Sequence, residues 1–118
     1  MGVLDGLETT LKNCRLYYQW HRKEEADAPT VLLLHGWGCD SSIFSFIENG
    51  LFEGASVLSV DFPGHGKSGD PQEPWGVPDY TEQIVMLLDE LSLSKVDVVA
   101  HSFGGRVALW LASHHPER

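Results

Sequence analysis

The stretch "VVAHSFGG", residues 98–105, decides the fold of this chain. It runs from apolar, strand-forming residues into a serine and two glycines, and a helical pattern follows in "RVALWLASHH". A strand that passes into a helix within about one residue needs a strained backbone at the corner and small residues around it. We therefore predict that Ser102 lies at a strand-to-helix corner with a positive φ, flanked by the small residues Ala100 and Gly104.

A serine at such a corner is exposed at the top of a sheet, where it can act as a nucleophile. Its hydroxyl is a weak nucleophile until a base takes the proton, and attack on a carbonyl creates an oxyanion that needs N–H donors. The backbone N–H of Phe103, at the start of the predicted helix, lies next to that point. The alternative is a serine in an ordinary strand-to-helix turn, so other motifs have to decide between the two.

Apolar runs elsewhere in the chain predict further strands. The runs "TVLLLHG" (30–36) and "KVDVVAHS" (95–102) are typical of strands buried on both faces, as in a parallel sheet. The run "ASVLSVDFPGHGKSG" (55–69) predicts a strand that ends at Asp61 and enters a Pro/Gly-rich turn. Two shorter runs, residues 7–13 and 14–22, predict a hairpin that turns at Asn13.

Helical periodicity predicts helices at about residues 42–50, 79–92 and 103–115. Asp79 followed by Glu82 indicates a helix start of the capping-box kind. Strands that alternate with helices predict an α/β fold, a mostly parallel sheet flanked by helices. Because no linker or repeat interrupts the pattern, we expect residues 1–118 to form part of a single domain.

Composition excludes several classes of function. The 118 residues are 42% hydrophobic and 21% charged, which is ordinary for a soluble globular fold. A formal charge of −9 disfavours binding to nucleic acid or to anionic membranes. Cys14 and Cys39 are too few for a disulfide framework and have no metal-ligand spacing. With no signal-like or membrane-spanning stretch, we expect a cytoplasmic location.

Three motifs in this order resemble those of the α/β-hydrolase superfamily. The first is the His-Gly loop after the third strand, here His35-Gly36-Trp37-Gly38. The second is D-x-P-G-x-G-x-S after the fourth strand, here Asp61 to Ser68. The third is the elbow G-x-S-x-G, here 100–104 with alanine in place of the first glycine. The resemblance covers essentially the whole chain.

The resemblance implies an α/β-hydrolase fold that is incomplete, with about strands one to five of the eight that the fold has. It implies that Ser102 is the nucleophile and that the N–H groups of Trp37 and Phe103 converge beside it as the oxyanion hole. It implies no metal and no cofactor. The remaining motif residues have structural roles by the same resemblance: His35, Gly36, Gly38, Asp61, Gly64, Gly66 and Gly104.

The family also has a catalytic acid and a histidine, in the order serine, Asp or Glu, histidine, both on loops after later strands. We expect these partners to lie outside this chain and the chain alone to be inactive. His101 is adjacent to the serine, but successive strand side chains point to opposite faces. Asp61 is about two strand spacings away. His35 is a marginal candidate for a base, and a loop-anchoring role is the simpler interpretation; His65 is expected to satisfy backbone groups in its turn.

Two functional hypotheses remain open at this point. The first is a serine hydrolase that cleaves an ester, amide or related acyl bond of a small-molecule substrate through an acyl-enzyme. The second is a non-catalytic member of the fold that binds a small ligand. The sequence does not specify the substrate or the oligomeric state. We also expect the strand "VDVVA" (96–100) to have an unpaired outer edge in this chain, which favours aggregation or loose packing.

Overall fold

The computed structural model describes residues 5–22, 28–44 and 54–118. In these segments the chain forms one sheet with two helices beside it. The strands are β1 (Asp5–Leu11), β2 (Cys14–His21), β3 (Thr30–Leu34), β4 (Ser56–Asp61) and β5 (Asp97–Ala100), and the helices are α1 (Val77–Glu90) and α2 (Phe103–His114).

The sheet has the strand order β1-β2-β4-β3-β5. Strand β3 lies between β4 and β5 and is parallel to both, whereas β2 is antiparallel to β4 and to β1. The hairpin turns at Lys12 and Asn13, which both have a positive φ, 54° and 58°. This is the backbone that a two-residue hairpin with right-handed strand twist requires. The predicted hairpin and the predicted parallel strands are both confirmed, and the sheet as a whole is mixed.

Alternate residues of the central strands are buried on opposite faces of the sheet. Leu32 and Leu34 of β3 pack with α1 and with Val107 of α2, whereas Leu33 packs on the other face with Phe44. Leu32, Leu33, Leu34 and Val107 are fully buried. Burial on both faces explains why "VLLL" is continuously apolar rather than alternating with polar residues.

The first two predicted helices differ from the structure. In the region predicted as a helix over 42–50, the structure has a short 3-10 turn at Ser41–Phe44, and residues 45–53 lie outside the described part. Helix α1 spans Val77–Glu90 rather than 79–92. Its N-cap is Gly76, whose N–H donates to the Asp79 carboxylate at 2.8 Å. Asp79 therefore caps the helix from within its first turn. Proline is also tolerated in the first turn of a helix.

The prediction that β5 is a buried strand is wrong for this chain. Val99 is 38% exposed, and Asp97 and Ala100 are exposed as well. The cause is the position of β5 at the end of the sheet, where the described residues place no strand against its outer edge. On α2, Leu109 is 71% exposed and Trp110 is 37% exposed. The expectation of an unpaired edge with apolar side chains in water is confirmed.

Gly104 lets the first turn of α2 pack directly on the end of β3. A Cβ atom at this position would lie 2.7 Å from the carbonyl carbon of Leu34 and 2.8 Å from the carbonyl oxygen of His35. The close approach is therefore to the neighbouring strand β3. The sequence had suggested an approach to β5, the strand that precedes the helix. Gly105 behaves differently, since a Cβ there would meet nothing within 4 Å.

We predict that Gly104→Ala destabilises the fold and that Gly105→Ala does not. The added methyl at 104 meets rigid backbone, and such overpacking costs about 1–3 kcal/mol. At 105 the same change only improves helix propensity, by up to about 1 kcal/mol. Urea unfolding of the two variants beside the wild type measures both effects. Equal free energies of unfolding for the two variants would contradict the packing argument.

Candidate active site

Ser102 lies at the corner between β5, which ends at Ala100, and α2, which begins at Phe103. Its φ is 53° and its ψ is −113°, a conformation that L residues rarely adopt. The predicted corner and the predicted positive φ are both confirmed. The side chain is exposed, and its hydroxyl has no hydrogen-bond partner within residues 5–22, 28–44 and 54–118. The hydroxyl is therefore free to meet a ligand.

The turn after β3 lies directly against this corner. A Cβ atom on Gly36 would be 3.1 Å from the Cβ of Ser102 and 2.7 Å from Nδ1 of His101. The N–H of His101 also donates to the carbonyl of Leu34 at 3.0 Å. A side chain at 36 would crowd both residues, so the first and third sequence motifs are in contact. No hydrogen bond links the His101 ring to Ser102 in the described structure.

Two backbone amides near the corner have no acceptor among the described residues, those of Trp37 and Phe103. The Trp37 indole packs edge-to-face on the Phe103 ring, with ring centroids 5.2 Å apart. The turn that carries Trp37 is closed by the Cys39 N–H, which donates to the carbonyl of Gly36 at 3.1 Å. Gly38 has a φ of 78° in that turn. That both amides point at the Ser102 hydroxyl remains a prediction.

His35 is fully buried and uses both ring nitrogens within the scaffold. Its Nδ1 lies 2.7 Å from the carbonyl of Gly36, and its Nε2 accepts the N–H of Phe62 at 2.9 Å. The proton is therefore on Nδ1. Burial lowers the pKa of His35 below its usual value, although the hydrogen bond to Gly36 opposes the shift. These contacts agree with the loop-anchoring interpretation and leave no ring nitrogen free to serve as a base.

Asp61 is buried at the end of β4 and holds two loops by their amides. Its carboxylate accepts the N–H of Ser41 at 2.9 Å and the N–H of Lys67 at 3.0 Å. The Ser68 hydroxyl donates to the Asp61 carbonyl and accepts the N–H of Tyr17 at 2.8 Å. Strand β3 separates β4 from β5, so the carboxylate is not placed beside the elbow.

The other glycines of the second motif lie in the loop that follows β4. Gly64 and Gly66 both have a positive φ, 81° and 50°. Together with Asp61 and Ser68 they form a compact turn, closed by the Gly64 N–H donating to the Gly69 carbonyl at 2.8 Å. This turn lies beside the one that carries Trp37, to which it is joined through His65.

A cluster of aromatic rings surrounds Phe103, and its other members were not among the site residues predicted from the sequence. The Tyr80 ring of α1 lies edge-to-face to Phe103 at 5.2 Å, to Phe62 at 5.7 Å and to Trp75 at 5.2 Å. Phe62 lies within the second motif and Tyr80 within the apolar stripe of α1, so each has a sequence signal as a core residue. Neither signal reveals that the rings support Phe103.

A cavity of about 850 Å³ lies beside the elbow rather than over it. Trp37, Cys39, Asp40, Trp75 and Tyr80 are among its lining residues, and Ser102 and Phe103 are not. The amide and hydroxyl of Ser42 hold the pKa of Asp40 below its usual value, so the cavity carries a negative charge. Trp37 therefore lies between Ser102 and this cavity, whose lining includes aromatic rings and the carboxylate of Asp40.

The described residues contain no group of three or more His, Cys, Asp or Glu side chains arranged to hold a metal ion. Within the same residues, neither α1 nor α2 has the length and apolar character to span a bilayer. Both cysteines are free thiols.

We predict that Ser102→Gly stabilises the fold, whereas Ser102→Ala leaves its stability nearly unchanged. A positive φ in a non-glycine residue stores about 1 kcal/mol or more, and glycine releases it. Alanine removes the hydroxyl but keeps the Cβ, so it is the matched control. Urea unfolding measures the difference, and a Ser102→Gly variant no more stable than Ser102→Ala would show that the corner is unstrained.

We predict that the free energy of unfolding falls as pH drops below about 6.5, in part because of His35. Above that pH, His35 is neutral in both states. Below it, the unfolded chain binds a proton that the folded chain, with its lowered His35 pKa, does not bind. One such group contributes a slope of up to about 1.4 kcal/mol per pH unit.

The measurement that isolates His35 is the NMR titration of its ring Cε1–H in the folded chain, beside urea unfolding at pH 5 to 8. The His35 resonance in the folded chain is expected to titrate below about pH 6.5, because burial lowers its pKa. A resonance that titrates in the folded chain at or above 6.5 would refute the assignment.

The sequence profile described as "alpha/beta hydrolase fold" matches residues 29–118. Among solved structures, the enol-lactonase from Burkholderia xenovorans LB400 superposes with a TM-score of 0.89 and 26% identity, over 95% of this chain and 43% of that one.

Two curated relatives are similar at about one third identity. The putative carbamate hydrolase RutD of Caulobacter segnis is 34% identical over 119 residues, 99% of this chain and 41% of that protein. The pimeloyl-[acyl-carrier protein] methyl ester esterase of Neisseria meningitidis is 34% identical over 101 residues, 85% of this chain and 31% of that protein. The chain spans less than half the length of these relatives. With the strand order, the corner at Ser102 and the profile match, the chain belongs to the α/β-hydrolase family.

Proposed function

We propose that this sequence carries the nucleophile and the oxyanion donors of a serine hydrolase. Ser102 is the nucleophile, and the N–H groups of Trp37 and Phe103 stabilise the oxyanion. The observation that carries the proposal is the left-handed corner at Ser102, with an exposed hydroxyl that has no partner in the described structure. Acyl transfer requires an accessible serine and nearby N–H donors, and the amides of Trp37 and Phe103 have no acceptor among the described residues.

The proposed reaction cleaves an acyl bond in two steps. A histidine removes the proton from the Ser102 hydroxyl, whose oxygen attacks the carbonyl carbon, and the negative charge develops on the carbonyl oxygen beside the two amides. Collapse of this intermediate expels the alcohol or amine, which takes the proton from the histidine, and leaves an acyl-enzyme. Water then releases the acid by the reverse sequence. Only side chains, backbone amides and water take part.

The substrate class is a small molecule with a carbonyl carbon bonded to oxygen or nitrogen. The names of the similar proteins describe a carbamate hydrolase, a methyl ester esterase and an enol-lactonase. A carbamate, an ester and a lactone share an electrophilic carbonyl with a heteroatom leaving group. Beyond that shared group, the substrate of this protein is left open.

We further propose that the base is supplied from outside these 118 residues. His35 has both ring nitrogens engaged, and so does His65, with Nε2 on the Gly38 amide and Nδ1 near the Pro63 carbonyl. His101 makes no hydrogen bond to Ser102, and His114 lies at the far end of α2, with its Nδ1 near the Trp110 carbonyl. A serine without its histidine retains only the residual catalysis of the oxyanion hole and of binding.

The test compares the 118-residue chain with the full-length protein that contains it, each with a Ser102→Ala control. We expect the full-length protein to hydrolyse p-nitrophenyl acetate and to label with a fluorophosphonate probe, and Ser102→Ala to lose both. We expect the 118-residue chain to show no Ser102-dependent turnover. Serine-dependent turnover by the short chain would place a base within it.

A full-length protein that neither labels nor turns over any acyl substrate would overturn the hydrolase proposal. If such a protein still bound small ligands, the non-catalytic member of the fold would be the better description. Labelling that persists in Ser102→Ala would assign the nucleophile to another residue.

A further inference from the structure

His65 joins the loop after β4 to the turn that carries Trp37. Its Nε2 accepts the N–H of Gly38 at 2.9 Å, one residue beyond the Trp37 amide. The Trp37 indole also packs edge-to-face on the His65 ring, with centroids 4.8 Å apart. The turn is thus fixed to a second loop by a side-chain hydrogen bond and a ring contact.

The His65 ring is itself held in one orientation. Its Nδ1 lies 3.1 Å from the Pro63 carbonyl oxygen, which can only accept a hydrogen bond and therefore places the ring hydrogen on Nδ1. The lone pair of Nε2 then faces the Gly38 amide. The His65 backbone is fixed too, because its N–H donates to the carbonyl of Phe62 at 2.9 Å and its carbonyl accepts the N–H of Ser68 at 3.1 Å.

The opposite end of the same turn is fixed against the elbow. Gly36 packs on the Cβ of Ser102, and Gly38, with its φ of 78°, turns the chain away from it. The peptide that bears the Trp37 amide lies between these two anchors. Loss of the His65 anchor leaves that peptide fixed on one side only, so its N–H can rotate away from the serine. An oxyanion donor that is displaced by about 1 Å loses much of its effect.

We propose that His65 is a positioning residue of the oxyanion hole, acting through the Gly38 amide on the Trp37 N–H. The proposal rests on the proposed function, since it needs Trp37 to be an oxyanion donor. His65 itself touches no reacting atom. Its role differs from that of His35, which is fully buried and supports the loop from below.

The experiment uses two substitutions of His65 in the full-length protein, with Ser102→Ala and His114→Leu as controls. His65→Leu removes the acceptor and keeps a similar volume. His65→Gln keeps a neutral acceptor near the position of Nε2. We expect kcat for p-nitrophenyl acetate to fall roughly tenfold or more in His65→Leu with little change in KM, and to recover to within about threefold of the wild type in His65→Gln.

The second readout does not depend on activity. In the ¹H–¹⁵N spectrum, the Gly38 amide proton is expected to move upfield in His65→Leu and to return towards its wild-type position in His65→Gln. His114→Leu, at the far end of α2, is expected to change neither readout. Urea unfolding of each variant confirms that the comparison is between folded proteins.

The outcomes separate this inference from the proposed function. If the wild type has no turnover beyond that of Ser102→Ala, the proposed function fails and the role of His65 fails with it. If the wild type is active through Ser102 but His65→Leu keeps its kcat, only the present inference fails. A loss of kcat with an unchanged Gly38 resonance, or an equal loss in His65→Gln, also overturns it.

Discussion

The contact between the first turn of α2 and the last peptides of β3 fixes the geometry of the whole site. Gly104 lies against the Leu34 and His35 carbonyl groups, and the His101 N–H donates to the Leu34 carbonyl at 3.0 Å. A helix held this close to the neighbouring strand leaves its own strand no room for a gradual turn. The chain must reverse at Ser102, and the left-handed conformation follows from packing rather than from any preference of serine.

The loops around the corner are held by buried acceptors rather than by regular secondary structure. His35 accepts the amide of Phe62, and Asp61 accepts those of Ser41 and Lys67. Each of these bonds satisfies a backbone N–H that a loop would otherwise leave unpaired, and those from Phe62 to His35 and from Ser41 to Asp61 span 27 and 20 residues, separations that no local turn can bridge. The loops after β3 and β4 consequently behave as one structural unit, and this unit presents Trp37 to the elbow.

Features that are signalled by adjacent residues were predicted correctly, whereas features that depend on which elements pack together were missed. The hairpin at Asn13 follows from adjacent residues. The corner at Ser102 was predictable because the serine and the small residues beside it are adjacent in the sequence, although its strain comes from the packing of α2 on β3. The burial of β5 depends on which strand lies beyond it, which "DVVA" does not encode, and so that prediction was wrong. The start of α1 was displaced by two residues because Asp79 can cap a helix from the N-cap or from within the first turn. Contacts such as that of His65 with Gly38 join residues 27 positions apart, which no periodicity reveals.

The groups that the proposed mechanism needs from this chain are those whose exposure costs the fold little. A hydroxyl or an amide that faces solvent remains hydrogen-bonded to water, whereas the same group buried without a partner would destabilise the fold by about 1–3 kcal/mol. The strain at Ser102 is a cost to stability, and the two-faced core of β3 and β4 offsets it. Because that core is independent of any catalytic histidine, positioning of the nucleophile and activation of its proton are separate tasks in this architecture. Changes in the loops after β3 and β4 should therefore alter transition-state stabilisation without altering how readily the serine loses its proton.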